Sequence, residues 1–232
     1  MGESAGAIFV GNLVNTSPDP LFRAAIEMSG SSVVNAPNLG GADPDLAWPQ
    51  LLGLLNCSST SDADALDCVR EVPANTLRSI LEENGLVFST PPHNNITSLQ
   101  RPDIAWADGN VAKVPLLIGY TGDDGSMFVD QAADLAMTAN LTLLDALRAL
   151  NMPDELATTF AAWYNSSSPY GAGIENTRDA LYKLATDITF GCTSGMVANL
   201  TANLLDVPVW QYVYDAVVPS IIWNEWPDLG AW

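Results

Sequence analysis

Residues 2 to 6 read Gly-Glu-Ser-Ala-Gly and run directly into the apolar stretch AGAIFVGNL. No other feature confines the chain so tightly. A serine flanked at two residues' distance by glycines, with a helix starting at once, suits a strand that breaks sharply, lifts a hydroxyl clear of a sheet and enters a helix. At the start of that helix the amide of Ala5 can point at an oxyanion, helped by the helix dipole. The five residues alone leave a plainer alternative open, a helix N-cap serine between two glycines. The remainder of the chain has to decide between them.

That remainder alternates helical patterns with sparse strands. The spacing gives a short helix over residues 5–13, a turn at NTSPDP, one helical turn, and a strand AAIEMS closed by Gly30. Three helices are expected between residues 43 and 84, in DPDLAWPQLLGLLN, DADALDCVREV and PANTLRSILEEN, each with Asp or Pro in its first turn. A loop is expected through STPPHNNITSLQRPDIAWADGN, followed by a buried strand in KVPLLIGYTGDDG. Helices at about 126–139, 142–150, 153–163 and 174–205 then lead to a strand in PVWQYVYDA. The order argues for an α/β open sheet with a helical insertion after the AAIEMS strand. No repeat, low-complexity segment or domain linker stands out.

Composition narrows the function classes. Twenty-seven acidic residues against eight Lys and Arg give a net charge of −19, a field that repels phosphate backbones and anionic membrane surfaces and argues against nucleic-acid binding. No apolar run approaches a membrane-spanning helix. Six N-x-S/T sequons, at Asn15, Asn56, Asn95, Asn140, Asn165 and Asn199, read as candidate glycosylation sites of a chain made in the secretory pathway. Against this, Met1, Gly2 and Glu3 do not resemble a secretory signal. Cys57 and Cys68 are separated by ten residues, which fits a small disulfide loop or two unrelated thiols. Cys192, in the apolar run ITFGCTSGMVANL, reads as a buried inert thiol.

Further chemistry is suggested by TGDDGSMF. The apolar strand before it places Asp123 and Asp124 at the carboxyl end of a strand, where open α/β sheets gather ligands and catalytic groups. Two Asp before a Gly are equally ordinary turn and capping chemistry. A hydrolytic serine needs a base, and the sole histidine, His93, sits in the polar loop TPPHNNIT and reads as solvent-facing. No metal-ligand spacing, calcium loop, phosphate loop or dinucleotide fingerprint is present, so no metal and no cofactor is expected. Trp106, Trp163, Trp223 and Trp226 are expected to pack in the core or at an interface rather than line a site.

Taken in order, GESAG, LFRAAIEMSGS, the Cys57 and Cys68 pair, RPDIAWADG, VPLLIGYTGDDGSMF, VWQYVYDA and PDLGAW resemble the type B carboxylesterase and cholinesterase-like lipase family. The resemblance spans the whole chain and implies a partial α/β-hydrolase fold: the C-terminal part of the open sheet with helical insertions, its N-terminal strands absent. It further implies that Ser4 is the nucleophile, that Ala5 provides one oxyanion amide, that Glu3 lies buried beside the site, and that Ser29 hydrogen-bonds near the triad acid. Asp124 stands where the family usually has Glu, shorter by one carbon–carbon bond of about 1.5 Å. Cys57 and Cys68 match a family disulfide.

By the same resemblance, the glycine-rich oxyanion loop lies upstream of GESAG, and the catalytic histidine follows a stretch such as Gly230, Ala231 and Trp232, where the chain stops. The expectation is therefore one domain, residues 1–232, truncated at both ends. Its intact relative is a secreted serine ester hydrolase acting on a small-molecule or lipid ester, while the chain alone is inactive for lack of its base. Oligomeric state is not legible. Two other readings remain at this point: a non-catalytic cholinesterase-like binding domain, against which the retained Ser4 counts, and a truncated gene product without a function of its own.

Overall fold

The computed structural model describes residues 1–16, 19, 21–33, 44–86, 100–132 and 141–216. The chain divides into two compact units, residues 1–35 with 95–232, and residues 36–94.

The first unit is built on a four-stranded, wholly parallel sheet in the order β1-β2-β3-β4. Its strands are β1 (Gly2–Glu3), β2 (Ala25–Met28), β3 (Leu116–Thr121) and β4 (Val209–Tyr214). Glu27 of β2 stands between Gly2 and Ile118, and Leu116 of β3 stands between Ala25 and Val209. A parallel sheet needs a crossover between neighbouring strands. The first crossover is helix α1 (Ala5–Thr16), which buries Ala7, Gly11, Val14 and Asn15, a helical spacing, along one face. It runs three residues past the expected 5–13, because the buried face continues through Val14 and Asn15.

The second unit carries three helices, α2 (Pro44–Leu55), α3 (Asp62–Glu71) and α4 (Ala74–Glu83), so the insertion falls where the sequence suggested, between β2 and β3. Ser61 caps α3 by accepting the Asp64 amide. The core of this unit is small: Ala47, Leu51 and Leu86 in one cluster, Leu52, Cys57 and Ala65 in another. A Cys57–Cys68 disulfide with Cα atoms 5.6 Å apart closes it.

The expected loop through RPDIAWADG is in part a helix, α5 (Pro102–Ala107), with Pro102 in the first turn and Asp103 favouring the amino end. It buries Trp106, whose indole N–H donates to Ser32 Oγ at 3.2 Å. Together with Val14, Ala25, Val111, Leu116, Ile118, Val197 and Leu205, Trp106 forms the core beside the sheet.

Between β3 and β4 run α6 (Ser126–Ala132), α7 (Leu143–Ala149), α8 (Asp154–Trp163) and α9 (Thr177–Thr186). From α9 the chain stays helical to Leu205 through a π-helical turn (Asp187–Gly191), α10 (Cys192–Leu200) and a second π turn (Thr201–Leu205). A helical core of Leu143, Ala146, Leu147, Ala157, Leu181 and Leu184 joins α7, α8 and α9. Among the described residues no helix is long and apolar enough to cross a membrane.

Candidate active site

Parallel strands deliver their carboxyl ends to one edge of the sheet, and the sequence places a serine at two of those ends. Ser4 ends β1 with φ 52° and Ser29 ends β2 with φ 55°, both in the left-handed region that costs a serine on the order of 1–3 kcal/mol. Each is held by a bond to the next strand: the Ser4 amide donates to the Met28 carbonyl at 2.9 Å, and the Ser29 amide to the Gly119 carbonyl at 2.7 Å. After Ser4 the helix starts immediately, with the amides of Ala7 and Ile8 donating to the Ser4 carbonyl at 2.9 and 3.1 Å. The turn is tight enough that a Cβ at Gly2 would lie 2.1 Å from the Gly6 carbonyl oxygen, so only glycine fits there. Gly6 itself faces open space, and nothing among the described residues demands a glycine at that position.

β3 ends in the loop Thr121–Gly125, where Asp123 and Asp124 part company. Successive strand residues face opposite sides of a sheet. Thr121 with Tyr212 and Tyr214 borders one cavity; Tyr120 with Val213 borders another. Asp124 lines the first, a cavity of about 340 Å³ that also takes in Glu3, Ser4, Met28, Ser29, Met127, Phe128 and Phe190. Asp123 lines the second, larger at about 580 Å³, with Asp179, Asp187, Asp215, Tyr182 and Lys183. Burial is the main cause that lifts the Asp123 carboxyl above the usual range, followed by Asp215 and Asp179, with Lys183 opposing. The larger cavity gathers carboxylates and phenols; among the described residues, the nucleophile and acid candidates Ser4 and Asp124 line the smaller one together.

Asp124 is fixed by its own loop. Its Oδ2 accepts the Thr121 amide at 3.0 Å, and its amide donates to the Thr121 carbonyl at 3.2 Å. Opposite, Phe128 of α6 and Phe190 of the π turn approach with ring centroids 6.1 Å apart and give the cavity an apolar wall. Near this wall, burial and the Asp124 carboxylate raise the Tyr212 phenol.

The other site expectations divide. Ala5 is the first residue of α1, so its N–H is among those a helix leaves without an intrahelical partner. Glu3, expected to be buried, is exposed, because β1 stands at the edge of the sheet among the described residues. Ser29 is buried at the cavity, but no side-chain hydrogen bond joins it to Asp124 among the described residues; its tie runs through its backbone to β3. His93 lies outside the described residues, as do Asn95, Asn140, Trp223, Trp226 and the stretch Gly230 to Trp232. Cys192 is exposed rather than buried, since it opens α10 just beyond the π turn. Partial desolvation and Asp187 push its thiol up, away from reactivity. Trp163 is half exposed and packs against Phe160 and Tyr170, each at 6.1 Å.

Sequence reasoning missed Glu27. Its side chain is fully buried on β2 with both carboxyl oxygens unpaired among the described residues, and burial pushes its pKa up to about 8. The signal was available: one acid inside an otherwise apolar strand of a two-sided sheet. The cavity wall of Met127, Phe128 and Phe190 was missed as well, since nothing in a helical pattern tells which apolar residue turns toward a cavity.

The model of the carboxylesterase family matches residues 1–229. Secreted lipase 1 of Botryotinia fuckeliana is 30% identical over 95% of this chain and 42% of its own length. Cholinesterase 2 of Branchiostoma lanceolatum is 25% identical over 97% of this chain and 70% of its own length. Among solved structures, a carboxylesterase of Geobacillus stearothermophilus matches 94% of this chain and 43% of its own chain, with a TM-score of 0.67 and 25% identity. The chain thus spans about two fifths of the length of the lipase and of the solved carboxylesterase.

Proposed function

The chain belongs to the carboxylesterase family, and from that premise we propose that it carries the nucleophile and the acid of a serine ester hydrolase, Ser4 and Asp124. The family's chemistry is ester hydrolysis, and the sheet is the corresponding part of an α/β-hydrolase fold. The observation that carries the finer reading is the convergence of Ser4 and Asp124, from two different strand ends, on one cavity with an apolar aromatic wall. In this reading the Ser4 hydroxyl attacks the ester carbonyl and passes its proton to a histidine that Asp124 orients. The Ala5 amide steadies the oxyanion, the alcohol departs, and water releases the acid from the acyl-serine.

The aromatic and thioether wall suits an ester with an apolar acyl or alcohol part, whether a small molecule or a lipid. Residues 1–232 act here as one part of a larger catalytic domain, whose base and second oxyanion donor are not among the described residues. The secreted lipases among the relatives support a secreted protein, with the exposed sequons as carriers of glycans.

The test is hydrolysis of a short-chain p-nitrophenyl ester by the whole protein that carries this sequence. Ser4→Ala should abolish turnover, and Asp124→Asn should lower kcat by roughly three to four orders of magnitude. A rate indifferent to Ser4→Ala sinks the reading. Indifference to Asp124→Asn alone would move the acid to another carboxylate.

A further inference from the structure

Gly125 follows Asp124 directly, so its N–H and the Asp124 carbonyl belong to one planar peptide unit. Whatever holds that N–H also sets the rotation of the Asp124 backbone. The partner comes from far along the chain: the Gly125 amide donates to Thr186 Oγ1 at 2.9 Å, inside the protein. The same hydroxyl donates to the Tyr182 carbonyl at 2.8 Å, so its hydrogen is committed one helical turn back and its lone pair is left facing Gly125. Thr186 is 2% exposed.

The contact is close as well as polar. A Cβ at Gly125 would stand 2.3 Å from the Thr186 nitrogen and 2.5 Å from the Ala185 carbonyl carbon. In Thr186→Val the isosteric methyl fills the space the hydroxyl leaves, so no room opens there for a water. Thr186 also ends α9, the residue before the π turn that brings Phe190 to the cavity wall.

We propose that Thr186 is a positioning residue for Asp124: its hydroxyl anchors the acid-bearing loop of β3 to the end of α9, next to the turn that carries Phe190. The proposal rests on the reading of Asp124 as the triad acid. The acid is then gripped twice, through its carboxylate by the Thr121 amide and through the following peptide by Thr186. Thr186→Val keeps the shape and removes the hydroxyl, leaving the Gly125 N–H buried and unpaired. The loop relieves this by shifting, and Asp124 shifts with it.

The experiment uses the whole protein that carries this sequence, p-nitrophenyl butyrate as substrate, and active sites counted with a fluorophosphonate. Thr186→Val should lower kcat per titrated site by roughly 10- to 100-fold, the cost of a misplaced catalytic group, with KM little changed. Thr186→Ser, which keeps the hydroxyl, should restore the rate. In an Asp124→Asn background Thr186→Val should cost nothing further, because the group it positions is already disabled. A wild-type kcat per site in Thr186→Val, or a loss that simply adds to Asp124→Asn, overturns the proposal. If Thr186→Val does not fold, Thr186→Cys, close in volume with only a weak acceptor, decides by the same comparisons. A wild-type rate untouched by Ser4→Ala instead refutes the hydrolase reading and the positioning role together, so the two failures are told apart.

Discussion

Glu27 gives the folded chain a proton that the unfolded chain does not keep. Burial raises its pKa from 4.5 to about 8, so folding takes up a proton between those values. The sign is that of a raised pKa: its contribution to stability is fully present below about pH 4.5 and is lost as pH rises through 8. Over that window the loss is on the order of 4–5 kcal/mol, at about 1.4 kcal/mol per pH unit. Glu27→Gln, which cannot ionise, should flatten it. Urea unfolding at pH 5 and pH 8 should show a stability gap between the two proteins that widens toward pH 8; parallel curves would refute the assignment. Ser4 and Glu27 differ in legibility for a physical reason. A serine at a sharp turn needs small neighbours close by in sequence, and these leave a written pattern. A buried acid leaves a fainter one, a single Glu in an apolar strand, because the neighbours that enclose it, on β1 and β3, lie far off in sequence. Thr186 is of the second kind, since its partner is 61 residues away.

Among the elements, the inserted helices rely on a covalent tie. Their two small clusters share Trp48 and Leu55, and the second contains Cys57, whose disulfide to Cys68 spans only 11 residues in sequence. A loop of that size restricts the unfolded chain by about 2–3 kcal/mol. Cys57→Ala with Cys68→Ala should therefore destabilise residues 36–94 by that amount. Limited proteolysis checks this: new cuts should fall between α2 and α4 and spare the parallel sheet, whereas equal cutting throughout would show that the tie serves the whole chain. At this scale the sequence was informative about strands and long helices, whose apolar periods are local. It misleads at RPDIAWADG, where two short-range signals compete: proline marks loops, yet the same residue in a first turn starts a helix. The π turns are not legible in the 174–205 pattern, because the run is apolar on most sides and a shift of its face by one residue does not stand out there.

On the whole-molecule scale, the sequons meet the fold unequally. Asn15 is 8% exposed in α1 with its amide unpaired among the described residues, whereas Asn56 and Asn199 are exposed; Asn165 is half-buried, its amide donating to the Ala162 carbonyl at 2.6 Å. Secreted from a eukaryotic host, the folded protein should carry glycans at Asn56 or Asn199 and none at Asn15. Mass mapping after enzymatic deglycosylation in oxygen-18 water reads this directly, and a glycan at Asn15 would mean that α1 does not pack as described. Charge and family were legible across the full chain, since neither depends on who touches whom. Between Asp123 and Asp124 the local pattern does not choose, since two Asp before a Gly read alike; only the family resemblance points to Asp124, and the two line different cavities once the loop after β3 is folded. Each strand after β1 lies against the strand made just before it, so during synthesis every newcomer emerges to find its template already in place. The described sheet is thus extended in the direction of translation, and the Ser4 turn is made before the strand that leads into Asp124.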